Sequence, residues 1–326
     1  FKLGDLLMDK LDISKIEIGK IVAGELAVID ASIENGAKGP YAKLTLSDGN
    51  IDVNAKRWSY NGPIPKKGEV ISIVATSSTY NKELQLVVTS WDKGELPVEH
   101  FLKHGPNSPK DCYTKIINLL NEIYLDSAKW EQDLIDFTKE ILSSNKKLFT
   151  TVPAAVSIHH NYYGGLAQHT LEVVLEAHFK ADSFNKCTHS NNISIPLTIC
   201  GAALHDIGKV KGYCMEGVSP SMTIEGKFMD HIVLGVTMLY EKANSINNSI
   251  AKEKWFLELC HIITSHHGEL EYGSPVKPCF TEAYIVSQAD MSSARLTSMA
   301  KSLEDQSGEW GDKRDFIFGT RLYKRI

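Results

Sequence analysis

No stretch of this chain is apolar for the roughly 18 residues that a membrane-spanning helix needs, so no transmembrane helix and no membrane partner are expected. No two of its six cysteines are spaced as CxxC. Cys112, Cys187, Cys200, Cys214, Cys260 and Cys279 are scattered through 326 residues, which suits reduced thiols rather than a disulfide framework. Positive charge is not in excess. With 35 Lys/Arg against 40 Asp/Glu the formal charge is −5, so the chain is no polycation of the kind that coats nucleic acid, and such contact needs a local patch. Repeats and low-complexity tracts are missing too. The N-terminus, FKLGDLLMDKLD, lacks an initiator methionine and is too charged for a signal peptide, so the cytoplasm is the expected compartment.

What is there is an ordinary globular composition, 43% hydrophobic and 23% charged, in a chain long enough for two domains. The expected fold is multidomain α+β. Residues 1–95 read as a small β-barrel of the OB type, because GKIVAGELAVIDASIE, YAKLTLSDG, IDVNAKRW and EVISIVATSSTYNKELQLVVTSW alternate and are rich in β-formers. The last of these holds two strands around Tyr80-Asn81-Lys82. Residues 96–112, with three prolines, read as a linker. Residues 113–326 then read as an all-α domain with a tail, since apolar residues recur at three and four positions in six segments from YTKIINLLNEIYLD to EKWFLELCHIITSHHG.

The helical half carries the chemistry. His169, His205-Asp206, His231, His266-His267 and Asp290 each fall on an expected helix. Imidazoles and carboxylates are the usual ligands of borderline and hard divalent cations. More than four candidates can hold two ions, an arrangement suited to cleaving phosphate esters. Asp206 has two oxygens and can bridge two ions. Lys209 follows three residues later on the same helical face, where a cation would neutralise charge developing on a phosphate. Gly208 is expected to loosen the backbone, Gly164-Gly165 to give flexibility before His169, His231 to open a helix, and Gly268 to stop one. A lone aspartate in AYIVSQADM is costly to bury without a partner or metal. His100, His104, His178, His189 and His261 read as ordinary polar or packed histidines.

In this order the residues resemble the HD-domain superfamily of metal-dependent phosphohydrolases, whose H…HD…D signature falls on His169, His205-Asp206 and Asp290. HHNYYGGLAQHT, LHDIGKV, EGKFMDHIVLG, SHHGELEYGSPVKP, EAYIVSQADMSSARL and the terminal GEWGDKRDFIFGTRLYKRI resemble one branch of it, the YhaM-type 3′-5′ exoribonucleases. The resemblance covers nearly the whole chain and implies an OB-fold ahead of the HD domain. It implies a first ion on His169, His205, Asp206 and Asp290, and a second on Asp206, His231 and His266, with His267 a further ligand or an outer group. Gly165 stands where three-ion relatives have Glu, so two ions are expected. Mn²⁺ is the family expectation; Fe, Co or Ni fit the same ligands.

The implied reaction is 3′-5′ exonucleolytic hydrolysis of single-stranded RNA, with DNA also open, by a metal-activated hydroxide. Asp206 and Lys209 are its catalytic candidates. Arg295 is a candidate phosphate contact and Asn161, Tyr162 and Tyr163 candidate base contacts, with helix surface and loop packing as their bland readings. His159 and His160 are candidate outer groups. On the barrel, Tyr41, Trp58 and Tyr80 with Lys43, Lys56, Arg57 and Lys82 are candidate strand contacts, beside Tyr60 and Trp91. Residues 1–95 nonetheless hold 12 Lys/Arg against 13 Asp/Glu, so this is no strongly basic module. A small-nucleotide phosphohydrolase with a regulatory barrel and a non-catalytic nucleic-acid binder stay open, as does an oligomer.

Overall fold

The structure is a computed structural model that describes residues 9–37, 39–157, 159–304 and 306–325. Residues up to Lys103, together with Met215–Ser219, form one compact unit; His104–Cys214 and the residues from Pro220 form another.

In the first unit, β1 (Ile21–Gly36), β2 (Gly39–Ser47), β3 (Asp52–Arg57), β4 (Val70–Tyr80) and β5 (Glu83–Lys93) close a barrel in the order β1-β2-β3-β5-β4. All pairs are antiparallel except β3 with β5. Five strands closed in this way make the OB-type barrel. β1 is long because it serves two neighbours: Ile21–Ala27 pair with β4 and Ala27–Gly36 with β2, across a bulge between Val28 and Asp30. Asn81 and Lys82, both at positive φ, make the tight β4–β5 turn. Period-two alternation sends Leu26, Leu44, Leu46, Val53, Ile73, Leu86 and Val88 inward. Each such burial contributes about 1.5–3 kcal/mol.

The stretch expected as a linker is ordered. Residues Val98–Phe101 form a short 3₁₀ helix whose Phe101 is fully buried with Ala27, Val70 and Val218. The first helix of the other unit already starts at Pro109, where a proline at the first turn needs no N–H partner. The boundary between the two units does fall in this stretch, between Lys103 and His104, while buried Phe101 ties the part before it to the barrel unit.

The second unit holds α1 (Pro109–Tyr124), α2 (Lys129–Ser144), α3 (Lys146–Phe149), α4 (Gly165–Thr188), α5 (Ile195–Leu204) and α6 (Lys209–Gly212). A two-stranded hairpin, β6 (Tyr213–Glu216) and β7 (Ser219–Met222), escaped the helical reading; its tip is the segment counted with the barrel unit. α7 (Ile224–Ile246), α8 (Lys254–Ser265) and α9 (Thr281–Glu304) complete the unit. α5 is apolar on every side and buried from Pro196 to Leu204, the signature of a helix packed all round. Its C-terminal end therefore delivers His205 and Asp206 to the middle of the helical core. Among the described residues no helix is long and apolar enough to cross a membrane, and no disulfide joins the cysteines.

Candidate metal centre

Five helices or their ends supply the buried polar cluster. His169 comes from the first turns of α4, which is preceded by Gly164 in the left-handed region (φ 71°). A Cβ there would fall 2.1 Å from Pro109 Cγ. So this glycine serves a turn and a close approach rather than flexibility. Gly208 does not loosen the backbone either: it is helical at φ −61°, and a Cβ would stand 1.9 Å from the His231 carbonyl oxygen. Its missing side chain lets α7 approach the His-Asp segment. His231 opens the second run of α7, because Asp230 just before it, with a φ of 60° and a ψ of 158°, interrupts the helix. Strain of this kind persists where the surroundings fix it, and here it sets the Asp230 carboxylate against His231 Nδ1.

The imidazoles face inward through Nε2. His205 and His266 donate Nδ1–H to the carbonyls of Ala202 and Ile263, each at 2.7 Å, and His267 donates to that of Tyr272 at 2.8 Å. That assignment of the proton leaves the Nε2 lone pair free, the tautomer a ligand needs. Two groups of possible ligand atoms result, each within 4.8 Å: His169, His205 and Asp290, and His231, His266 and His267. Asp206 stands between them. Its Oδ2 is 3.4 Å from the Nε2 of both His169 and His205, and its Oδ1 is 3.3 Å from His231 Nε2 and 3.6 Å from His266 Nε2. His169 Nε2 also lies 3.0 Å from Asp290 Oδ1.

The charges divide the same way. Burial disfavours an imidazolium at His169, but hydrogen bonds to Asp206 and Asp290 outweigh it and raise its pKa to about 9. Burial acts against the charged carboxylates too, yet Lys209 and His205 beside Asp206, and His169 and His205 beside Asp290, hold both well below the usual range. In the second group burial lowers His231, His266 and His267 and keeps them neutral. Asp206 Oδ1, His231 Nε2 and His266 Nε2 are buried without a hydrogen-bond partner. Orphaned buried polar atoms are costly, and a shared cation is the partner this donor set fits.

Lys209 is buried, and its Nζ donates to Asp206 Oδ2 at 2.6 Å. Desolvation works against its charge, and the Asp206 carboxylate overcomes this to raise its pKa. It is thus a partner of Asp206 first. Sequence reasoning missed the relay behind His169: Nδ1–H donates to Ser293 Oγ at 3.0 Å, and that hydroxyl donates to Glu172 Oε2 at 2.6 Å. Glu172 also receives Gln168 at 2.8 Å and faces His160 Nε2 at 3.1 Å. Burial pushes the Glu172 carboxyl up, but His160, Gln168 and Ser293 bring it down to about 2. Spacing was the available signal. Glu172 and Ser293 each follow a ligand candidate by three positions, on one helical face.

The remaining candidates lie farther from the centre. The His159 ring is 5.8 Å and the His160 ring 5.2 Å from that of His169. Asn161 is half-buried. Tyr162 packs over Gly105, burial raising its phenol pKa, and the Tyr163 ring is 5.7 Å from His104. Arg295 is exposed, about 140° around α9 from Asp290.

A family model described as HD domain matches residues 166–295, a span that holds every member of the cluster. The chain carries an HD domain. Over most of its length it is also similar to two curated proteins named 3′-5′ exoribonuclease YhaM. The one from Halalkalibacterium halodurans is 29% identical over 299 residues, 87% of each chain. The one from Bacillus licheniformis is 27% identical over 325 residues, covering 93% of this chain and 96% of its own. Among solved structures, the second OB-fold domain of replication protein A from Methanococcus maripaludis aligns with 27% of this chain and 96% of its own. The identity is 16% and the TM-score 0.23, so strand order rather than this likeness carries the barrel assignment.

On the barrel, Lys56 Nζ sits 5.5, 5.2 and 5.1 Å from the ring centroids of Tyr41, Trp58 and Tyr80. Arg57 is 4.3 Å from Tyr60 and 4.7 Å from Trp91. Trp58 and Tyr80 are 50% and 59% exposed, too open to be core. Tyr41 and Lys43 are both tied to Glu34, at 2.6 and 3.0 Å. Lys82 is exposed in the turn after Tyr80. A cavity of about 540 Å³ is lined by Gly36, Ala37, Gly39, Tyr41, Trp58 and Ser59.

Proposed function

We propose that the protein is a metal-dependent 3′-5′ exonuclease of single-stranded nucleic acid, with RNA as the first substrate. The carrying observation is Asp206, each of whose oxygens is turned to a different pair of imidazoles. The names of the relatives support the substrate class. His169, His205, Asp206 and Asp290 would hold one divalent cation, and Asp206, His231, His266 and His267 a second. Mn²⁺ is the first expectation, with Fe, Co or Ni compatible with the same donors. When bound, the ions supply Lewis acidity toward the phosphodiester and the attacking water.

The chain's own residues do the rest. Nδ1 hydrogen bonds fix the rings so that their Nε2 atoms converge. Lys209 compensates Asp206 and keeps that carboxylate ionised in a dry core. The closeness of Lys209 to the shared carboxylate also supports a role in neutralising charge that builds on a phosphate nearby. Tyr162 and Tyr163 are proposed to wall the entry to the site and Arg295 to meet a phosphate farther along the strand. The exposed Trp58 and Tyr80, with Lys56 and the cavity beside Tyr41, support base stacking on the barrel.

The test is hydrolysis of 3′- and 5′-labelled oligonucleotides with Mn²⁺. Stepwise loss from the 3′ end is expected. Intact oligomers beside hydrolysed mononucleotides would replace this reading with a small-nucleotide phosphohydrolase.

A further inference from the structure

The C-terminal segment is not a loose tail. Asp315 accepts the hydroxyl of Ser302, on α9, at 2.8 Å and the backbone N–H groups of Ile317 and Phe318 at 2.8 and 3.1 Å. Trp310 and Tyr323 pair across an antiparallel bridge with ring centroids 5.1 Å apart, and Gly311 N donates to Leu322 O. Leu322 is buried beneath this closed loop.

The loop displays an uncommon surface. Residues 306–325 hold Lys313, Arg314, Arg321, Lys324 and Arg325 against Glu309, Asp312 and Asp315, in a chain whose net charge is −5. Arg321 Nε and Lys324 Nζ donate only to backbone carbonyls, of Gly311 and Gln306. None of the five cations is paired with a carboxylate among the described residues. Phe316, at the tip of the Asp315 turn, is 98% exposed, and Trp310 and Tyr323 are about half exposed. Unpaired cations interleaved with open rings are the combination that holds a phosphate backbone and stacks bases without reading sequence. A protein partner with an acidic face would match the charge but not the need for flat ring faces.

Position along α9 adds a direction. Ser302 is twelve residues beyond Asp290 on one continuous helix, about 18 Å at about 1.5 Å per residue. Arg295 lies between, seven residues before Ser302 and therefore within about 20° of the same face. Ser302 is also turned about 120° around α9 from Asp290, so a strand stacked at the duplex spacing of about 3.4 Å per phosphate would need roughly five nucleotides or more to reach from one to the other. We infer that the loop 306–325 is a strand-holding surface that grips single-stranded nucleic acid several nucleotides upstream of the end in the metal centre, an inference that rests on the nuclease reading above.

The test is equilibrium binding of a fluorescent single strand of roughly 20 nucleotides, with a phosphorothioate backbone that resists hydrolysis so that Mn²⁺ stays present, across a range of salt. Lys313→Gln with Arg314→Gln should lower the slope of log affinity against log salt by about 0.7 for each phosphate that is no longer neutralised. Phe316→Ala, which changes no charge, should weaken binding about fivefold or more. Both sites are exposed, so thermal midpoints should match wild type. Unchanged binding in both variants overturns the inference and leaves the nuclease reading intact. So does an effect of the charge change with Phe316→Ala silent, because a long-range field alone would give that result. A wild-type chain that binds no single strand overturns the inference, and the end-labelled assay then decides separately on the nuclease.

Discussion

The barrel and the helical unit both bury acidic side chains, but they do opposite things with them. In the barrel, buried Glu25 accepts from Ser72 Oγ and from the backbone N–H groups of Glu95 and Leu96, at 3.0, 2.8 and 2.8 Å. Buried Asp48 likewise accepts from the N–H groups of Ile13, Asn50 and Ile51. Both are satisfied inside the fold, and both staple chain segments together. In the helical unit Asp206 keeps one oxygen without a donor, facing imidazole nitrogens in the same state. A buried carboxylate whose donors are complete is structural; one that shares its deficit with several neighbours is waiting for a ligand.

The sharpest way to break this contrast is Asp206→Asn. Metal content should fall, and hydrolysis should drop by three decades or more, about 4 kcal/mol of barrier; elemental analysis and the end-labelled assay would show whether either survives. Glu25→Ala should instead cost about 3 kcal/mol of barrel stability, read by denaturant titration, with metal stoichiometry unchanged. A loss of metal in that variant would erase the distinction between the two carboxylates. Ser293→Ala cuts the relay from His169 to Glu172 and should weaken metal affinity about 10- to 100-fold, with Ser293→Thr recovering most of it. Calorimetric titration checks this, and a change only in thermal midpoint would reduce the relay to packing.

A smaller effect concerns pH. His169, whose pKa is raised to about 9, must lose its Nε2 proton to bind a cation. Affinity at the first group should therefore rise with pH, at most about tenfold per unit, and level off above about 9. Proton release measured in two buffers of different ionisation enthalpy tests this, and none at pH 7 would contradict it. The smallest change is expected on the barrel. Trp58→Ala should weaken strand binding by about 1 kcal/mol, since the ring is half open and already shared with Tyr41 and Lys56.

Much of this was legible in the sequence because it depends on periodicity and on residue types with narrow uses. Alternation marks β1 to β5, and the Asn81-Lys82 turn falls where the pattern breaks. The histidines and aspartates signal themselves, because nothing else needs so many ionisable side chains on apolar helices. The unread parts depend on contacts that local patterns cannot carry. Phe101 orders the supposed linker by packing against Ala27, Val70 and Val218, residues far away in the chain. The roles of Gly164 and Gly208 are set by what comes close, and the α7 kink by what Asp230 meets. Glu172 and Ser293 look like ordinary helical residues until α4 and α9 lie side by side.

The apolar helix α5 has a consequence for how this protein would fail. Because the His-Asp pair rides on the most enclosed segment of its unit, without a cation the partnerless Asp206 Oδ1, His231 Nε2 and His266 Nε2 turn their lone pairs on one another at the heart of the fold rather than at its rim. Starvation for the cation should then register as easier digestion of the helical half by proteases, with the barrel fragment outlasting it.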